Sequence, residues 1–352
     1  MTATTPASQA ARAPSPSPQP TRAPRRWIGL VPLTVLCVVA LALSMMVGSR
    51  VIPVSEVTQF LLEPVPDDPV SQVVWQSRVP RTVLVLLAGA ALGVAGGLMQ
   101  AVTRNPLADP GILGVNAGAS LAVVVGLAFF GVTNVAQYQW WSFGGAMVTS
   151  VLVFAIGNSG AVRSSPVRMT LTGVALGAVL SGFTSAVLLS NSEILERMRG
   201  WSAGTTASQP LDATLSIVPF VVAGLLIAVL SSRSLDVLSL GEASAVAMGA
   251  HPQRIRLVAL LAIALLAGGG TAVAGPIGFI GLMAPHLART IVGPHQGWIM
   301  AYSVLIAPIV LGFADVLGRI IVAGEVPVGV VTAFIGAPVL IYMIRRHRVT
   351  EA

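Results

Sequence analysis

The chain contains no lysine; all 20 of its basic residues are arginine. That absence excludes the Gly-x-x-x-x-Gly-Lys-Ser/Thr phosphate loop, whose lysine reaches the terminal phosphates, so any ATP that drives this protein binds to another chain. It also excludes Schiff-base catalysis and lysine-dependent kinase chemistry. Cysteine is nearly absent: Cys37 stands alone inside an apolar run, so there is no disulfide and no Cys-x-x-Cys site, and a packing role is expected. The histidines at 251, 286, 295 and 347 are scattered without ligand spacing, and no metal centre is expected. Charge of either sign is scarce, at 9% of 352 residues against about a quarter in soluble domains.

What fills the chain instead is apolar: 55% of residues are hydrophobic and the mean hydropathy is +0.84. No Asp, Glu or Arg interrupts the intervals between Arg81 and Arg104 or between Asp109 and Arg163. A helix needs about 20 mainly apolar residues to cross a bilayer. The interval from Pro110 to Val162 therefore holds two crossings, with a turn near Gly131 to Gln139. The chain reads as an all-α, multi-pass integral membrane protein. Its 36 glycines and 24 prolines suit closely packed helices whose neighbours re-satisfy broken turns.

Residues 1–26 are rich in Ala, Pro, Ser and Thr and read as a disordered cytoplasmic tail. Ten crossings are expected, at roughly 27–49, 80–103, 111–130, 139–158, 168–191, 212–232, 255–274, 277–292, 297–321 and 327–344, with a short tail at 349–352. Gly275-Pro276 separates two of them. With both termini inside, 14 arginines fall on the cytoplasmic side and six outside, which is the positive-inside bias. The net charge of +7 is thereby explained by membrane orientation, and nucleic acid is not an expected partner. The six exceptions include Arg78, Arg81 and Arg319. They either snorkel to headgroups or pair with Asp315 and Glu325, or they serve a partner.

Three segments differ from generic membrane helix. Trp75 to Ser120 runs a Gly-rich helix into Asn105-Pro106 and Asp109-Pro110-Gly111, residues of turn chemistry. Ser239 to Arg256 lies between two spans on the Arg-rich side and reads as a short surface helix with Glu242 at its start. Gly275 to Gly293 contains GPIGFIGLMAPHLARTIVG. Gly89, Gly93, Gly96 and Gly97 lie at small-residue spacing, which favours tight helix packing over ligand contact.

Together RVPR, MQAVTRNPLADPGILGVNAGA, LGEASA, GPIGFIGLMAPHLAR, ADVLGR and EVPVGVVTAFIGAP, in this order, strongly resemble the FecCD-type permeases of type II ATP-binding-cassette importers for ferric siderophores, haem and cobalamin. The resemblance covers about residues 27–348. It implies ten transmembrane helices per subunit, a second identical or homologous permease, a cytoplasmic ATPase dimer holding ATP and Mg, and an extracytoplasmic binding protein or lipoprotein. The chain itself would bind no cofactor and no metal and would catalyse nothing, working in the cytoplasmic membrane with both termini inside. Its cargo is expected to be a ferric-siderophore chelate, with haem or cobalamin as the alternative within the family. The loop at about 239–256 would be the coupling segment, placing Gly241, Glu242, Ala243, Ser244, Ala245, Met248, Gly249, Arg254 and Arg256 against the ATPase. Arg78, Arg81 and Arg319 would dock the binding protein. Gly89, Gly93, Gly97, Met99, Gln100 and Asn116 are the pathway candidates. An ion-coupled secondary transporter is the rival class, for which only Asp315 and Arg319 offer well-placed ionisable groups.

Overall fold

A computed structural model describes residues 26–48, 50–159, 166–207, 209–322 and 324–350. Nearly all of the expected N-terminal tail, together with Arg163 and the last two residues of the chain, lies outside the described residues. Among those described, every regular element is helical. In chain order these are α1 (Arg26–Met46), α2 (Val54–Leu62), α3 (Pro69–Val73), α4 (Val79–Thr103), α5 (Val115–Phe129), α6 (Val135–Gly157), α7 (Pro166–Ser190), α8 (Ser192–Ser202), α9 (Leu211–Ser216), α10 (Val218–Ser239), α11 (Glu242–Ala247), α12 (Pro252–Ala274), α13 (Ile280–Val292), α14 (Gln296–Ile321) and α15 (Val328–Thr350).

Among the described residues, seven helical stretches are long and apolar enough to cross a membrane, and the apolar helices α5, α13 and the first part of α15 are shorter. The ten expected segments are therefore all helical, but length alone supports seven crossings. The segment between α1 and α4 contains two further helices. The Asp68 carboxylate accepts the N–H groups of Val70 and Ser71 at 2.7 and 2.9 Å, capping α3. From Pro69 the chain runs through a π-turn, Val74–Arg78, into α4 as one 35-residue helix.

The centre of the bundle is α4, packed against α10, α12, α13 and α14. Small residues permit this: a Cβ on Gly93 would lie 2.5 Å from that of Ala307, one on Gly89 2.7 Å from the Pro308 backbone, and one on Gly96 would overlap the Gly281 carbonyl. The helix stops where the sequence turns. Arg104 takes the left-handed conformation (φ 52°), and the Asn105 side chain accepts the Leu107 N–H at 2.9 Å. Asp109 then caps the 3-10 turn Pro110–Leu113 through the Gly111 N–H at 2.8 Å. Gly275, at φ +72°, breaks the long apolar run between α12 and α13 as expected. By contrast α7 is largely uncovered; Val174, Val179, Phe183 and Leu189 all lie open.

Candidate functional site

The segment between α10 and α12 is built as a compact knuckle. Gly241 (φ +106°) turns the chain into α11, and Gly249 (φ +78°) ends it, with Ala250 N–H on the Ala245 carbonyl and Gly249 N–H on that of Val246, both 2.9 Å. This pairing closes the helix end without solvent. Glu242 holds the knuckle to the bundle by an ion pair with Arg256 at the start of α12, and it faces Arg104 at 3.6 Å. The outward face carries Leu240, Ala243, Ser244, Val246, Met248 and Arg254, all exposed.

Three of the nine expected contact residues, Glu242, Ala245 and Arg256, face the other way. Ala245 is fully buried and the Arg256 side chain is 1% exposed, so both belong to the attachment of the knuckle and not to its outer face. Periodicity over a six-residue helix could not separate these faces, because Ala245 differs from its exposed neighbours Ala243 and Ala247 only in the direction it points.

Arg78, Arg81 and Arg319 were expected at an outer rim; each is instead about 95% buried. Arg81 binds Asp315 through Nε and a terminal nitrogen at 3.0 and 2.9 Å, and Glu325 at 2.8 Å. Arg319 pairs with the other oxygen of Asp315 and donates to the Ser44 and Val47 carbonyls at 2.7 Å each. Arg78 reaches the Val47 carbonyl at 2.7 Å and that of Arg50 at 3.1 Å. Arg78 and Arg319 thus cap the C-terminal end of α1, where unsatisfied carbonyls and the helix dipole favour cations, while Arg81 is held by the two carboxylates. These contacts account for the burial of all three side chains within the subunit. Asp315 also accepts from Thr206 and is fully committed to structure.

The pathway candidates divide similarly. Gly89, Gly93 and Gly97 meet α13 and α14 inside the subunit, and Met99 is wholly buried, so these four serve packing. Gln100 is buried against the Leu282 carbonyl. Asn116 is different. It lines a cavity of about 390 Å³ between α5, α7 and the Pro110–Leu113 turn, bordered by Ser120, Gly177, Ser181 and Thr184, with no charged residue in its wall. The α7 contributions went unrecognised because Gly, Ser and Thr spaced along an apolar helix read equally well as packing. Among the described residues no group of three or more His, Cys, Asp or Glu side chains could hold a metal ion.

Residues 36–346 match the FecCD transport family. The ferric enterobactin transport system permease protein FepD of Escherichia coli is 47% identical over 323 residues, spanning 91% of this chain and 96% of that protein. The Fe(3+)-citrate import system permease protein YfmD of Bacillus subtilis is 37% identical, spanning 93% and 97% of the two chains. A solved structure described as an inward-facing metal-chelate type ABC transporter superposes with a TM-score of 0.79 at 26% identity, covering 91% of this chain and 99% of the other.

Proposed function

This chain belongs to the FecCD transport family, and from that membership we propose that it is the permease subunit of an ATP-driven importer that carries a ferric-siderophore chelate through the cytoplasmic membrane. The 47% identity to an enterobactin permease over nearly the whole chain supports a siderophore as cargo. Two such subunits, meeting along the uncovered face of α7, would enclose the cavity at Asn116 as part of one shared pathway. Its uncharged wall of glycines and hydroxyls suits a bulky chelate that must be released as well as held. ATP would bind to a separate ATPase dimer on the arginine-rich side, where both termini also lie, and a binding protein would deliver cargo from the opposite side.

The observation that carries the coupling role is the knuckle: an apolar face of Leu240, Val246 and Met248 stands clear of the bundle while Glu242, Arg256 and Arg104 tie its back to α12 and α4. A body pressed on that face moves two core helices together. Alternating access follows if the closed and open ATPase dimers favour different arrangements of those helices.

The test is uptake into proteoliposomes containing this chain, its ATPase and its binding protein, with labelled iron presented as a tricatecholate, a hydroxamate or a citrate chelate. ATP-dependent accumulation of a siderophore chelate is the expected result. Accumulation driven by a proton or sodium gradient without ATP would refute the reading.

A further inference from the structure

A second cavity, of about 440 Å³, lies where α4, α10, α13 and α14 meet at the end of the bundle that carries the knuckle. Arg104 and Arg289 line it, and no acidic residue does. Arg104 has a distant share of Glu242, at 3.6 Å. Arg289, half-buried in the last turn of α13, makes no hydrogen bond or ion pair with any described residue. Two amides in the same wall have the opposite need. Gln100, 2% exposed, gives its Nε2 to the Leu282 carbonyl at 3.2 Å, which fixes its orientation and leaves Oε1 buried without a donor. Gln296, 5% exposed, likewise has an unpaired Oε1; its backbone N–H is already held by Asp236 at 2.8 Å.

A guanidinium lacking a counter-ion calls for an anion, and buried carbonyl oxygens call for donors. Water alone would satisfy the amides and leave Arg289 uncompensated. The C-terminal carbonyls of α13 offer only partial negative charge. We propose that this cavity binds a phosphate anion that itself carries hydrogen-bond donors, with Arg104 and Arg289 on the phosphate oxygens and Gln100 and Gln296 on the donor group. Its volume falls within the range of small-ligand sites. It shares no lining residue with the cavity at Asn116, so it is separate from the proposed pathway. The two sources of such chemistry in a membrane are a phospholipid headgroup with an ammonium or hydroxyl group, and a soluble phosphate ester.

The full-length chain in phosphatidylcholine nanodiscs, whose lipid lacks such donors, is titrated with phosphatidylethanolamine in one arm and glycerophosphoethanolamine in the other. Native mass spectrometry counts the bound molecules, and thermal unfolding checks each protein. One saturable site is expected, weakened about tenfold or more by Arg289→Gln, the loss of one charge-assisted contact, and weakened also by Gln296→Leu. Saturation in the lipid arm alone assigns the headgroup; saturation in the ester arm with the same Arg289 dependence assigns the soluble source. Arg289→Gln removes a half-exposed side chain and should keep the parent's ligand-free unfolding midpoint, and Arg289→Lys should restore part of the affinity. Saturable binding in neither arm overturns the proposal, as does binding that both Arg289→Gln and Gln296→Leu leave unchanged.

Discussion

Replacing Asp315 by Asn tests whether the arginine cluster around it is structural. The carboxylate has no exposed side-chain surface, and it meets Arg319, equally buried, and Arg81, 7% exposed. Removing one partner of a buried ion pair typically costs about 3 to 5 kcal/mol, because the other charge stays behind uncompensated. Here each guanidinium keeps some acceptors: Arg81 retains Glu325, itself 37% exposed, and Arg319 retains the Ser44 and Val47 carbonyls. The lower end of the range, about 3 kcal/mol, is therefore expected. Denaturant unfolding of the micellar protein measures it, and a double-mutant cycle with Arg319→Met isolates the pair. The coupling energy should be about 1 to 3 kcal/mol, as for contacting residues in one network. Additive effects, or an Asp315→Asn protein within about 0.5 kcal/mol of the parent, as an ordinary surface substitution would be, would refute the structural assignment and return these residues to a role at a partner surface.

Other perturbations address the remaining regions. Gly96→Ala places a methyl group on the Gly281 carbonyl and should destabilise by about 1 to 3 kcal/mol through overpacking, measured by the same unfolding assay; an unchanged midpoint would show that α4 and α13 separate freely. Ser244→Arg, on the exposed face of the knuckle, should leave unfolding unchanged while abolishing ATP-dependent uptake, whereas Ala245→Arg should also lower stability; equal uptake by Ser244→Arg and parent would make the knuckle a plain connector. Burial holds the Asp109 carboxyl above the usual carboxylate range despite the Gly111 N–H. A raised folded-state value means that its contribution is fully present below the unfolded-state value and is lost as pH rises through the folded one. Stability of Asp109→Asn followed across pH should lack that loss, and parallel curves for the two proteins would sink the assignment.

Much was legible in the sequence. Long charge-free runs dictate membrane helices because lipid offers no partner to a backbone group or an ion, and the absence of lysine excludes a lysine-containing phosphate loop whatever the fold. Turn chemistry located the ends of α4 and α12, since Asn105-Pro106 and Gly275-Pro276 act through local backbone geometry alone. The small-residue spacing in α4 also carried its packing role. What the sequence left open is direction. Arg81, Asp315 and Glu325 are far apart along the chain and became one ion-paired cluster only when α4 and α14 packed; the same arginines on free helix ends would meet headgroups or a partner. Ala243 and Ala245 have identical chemistry, and the turns at Gly241 and Gly249 decide which of them faces out. Asn116 is a pathway candidate by resemblance alone until α7 brings its hydroxyls alongside, and Gln100 and Gln296 acquire a common cavity only through the meeting of α4 and α14. Local preference fixes where a helix begins and ends, but which face it buries depends on neighbours that only the tertiary structure supplies.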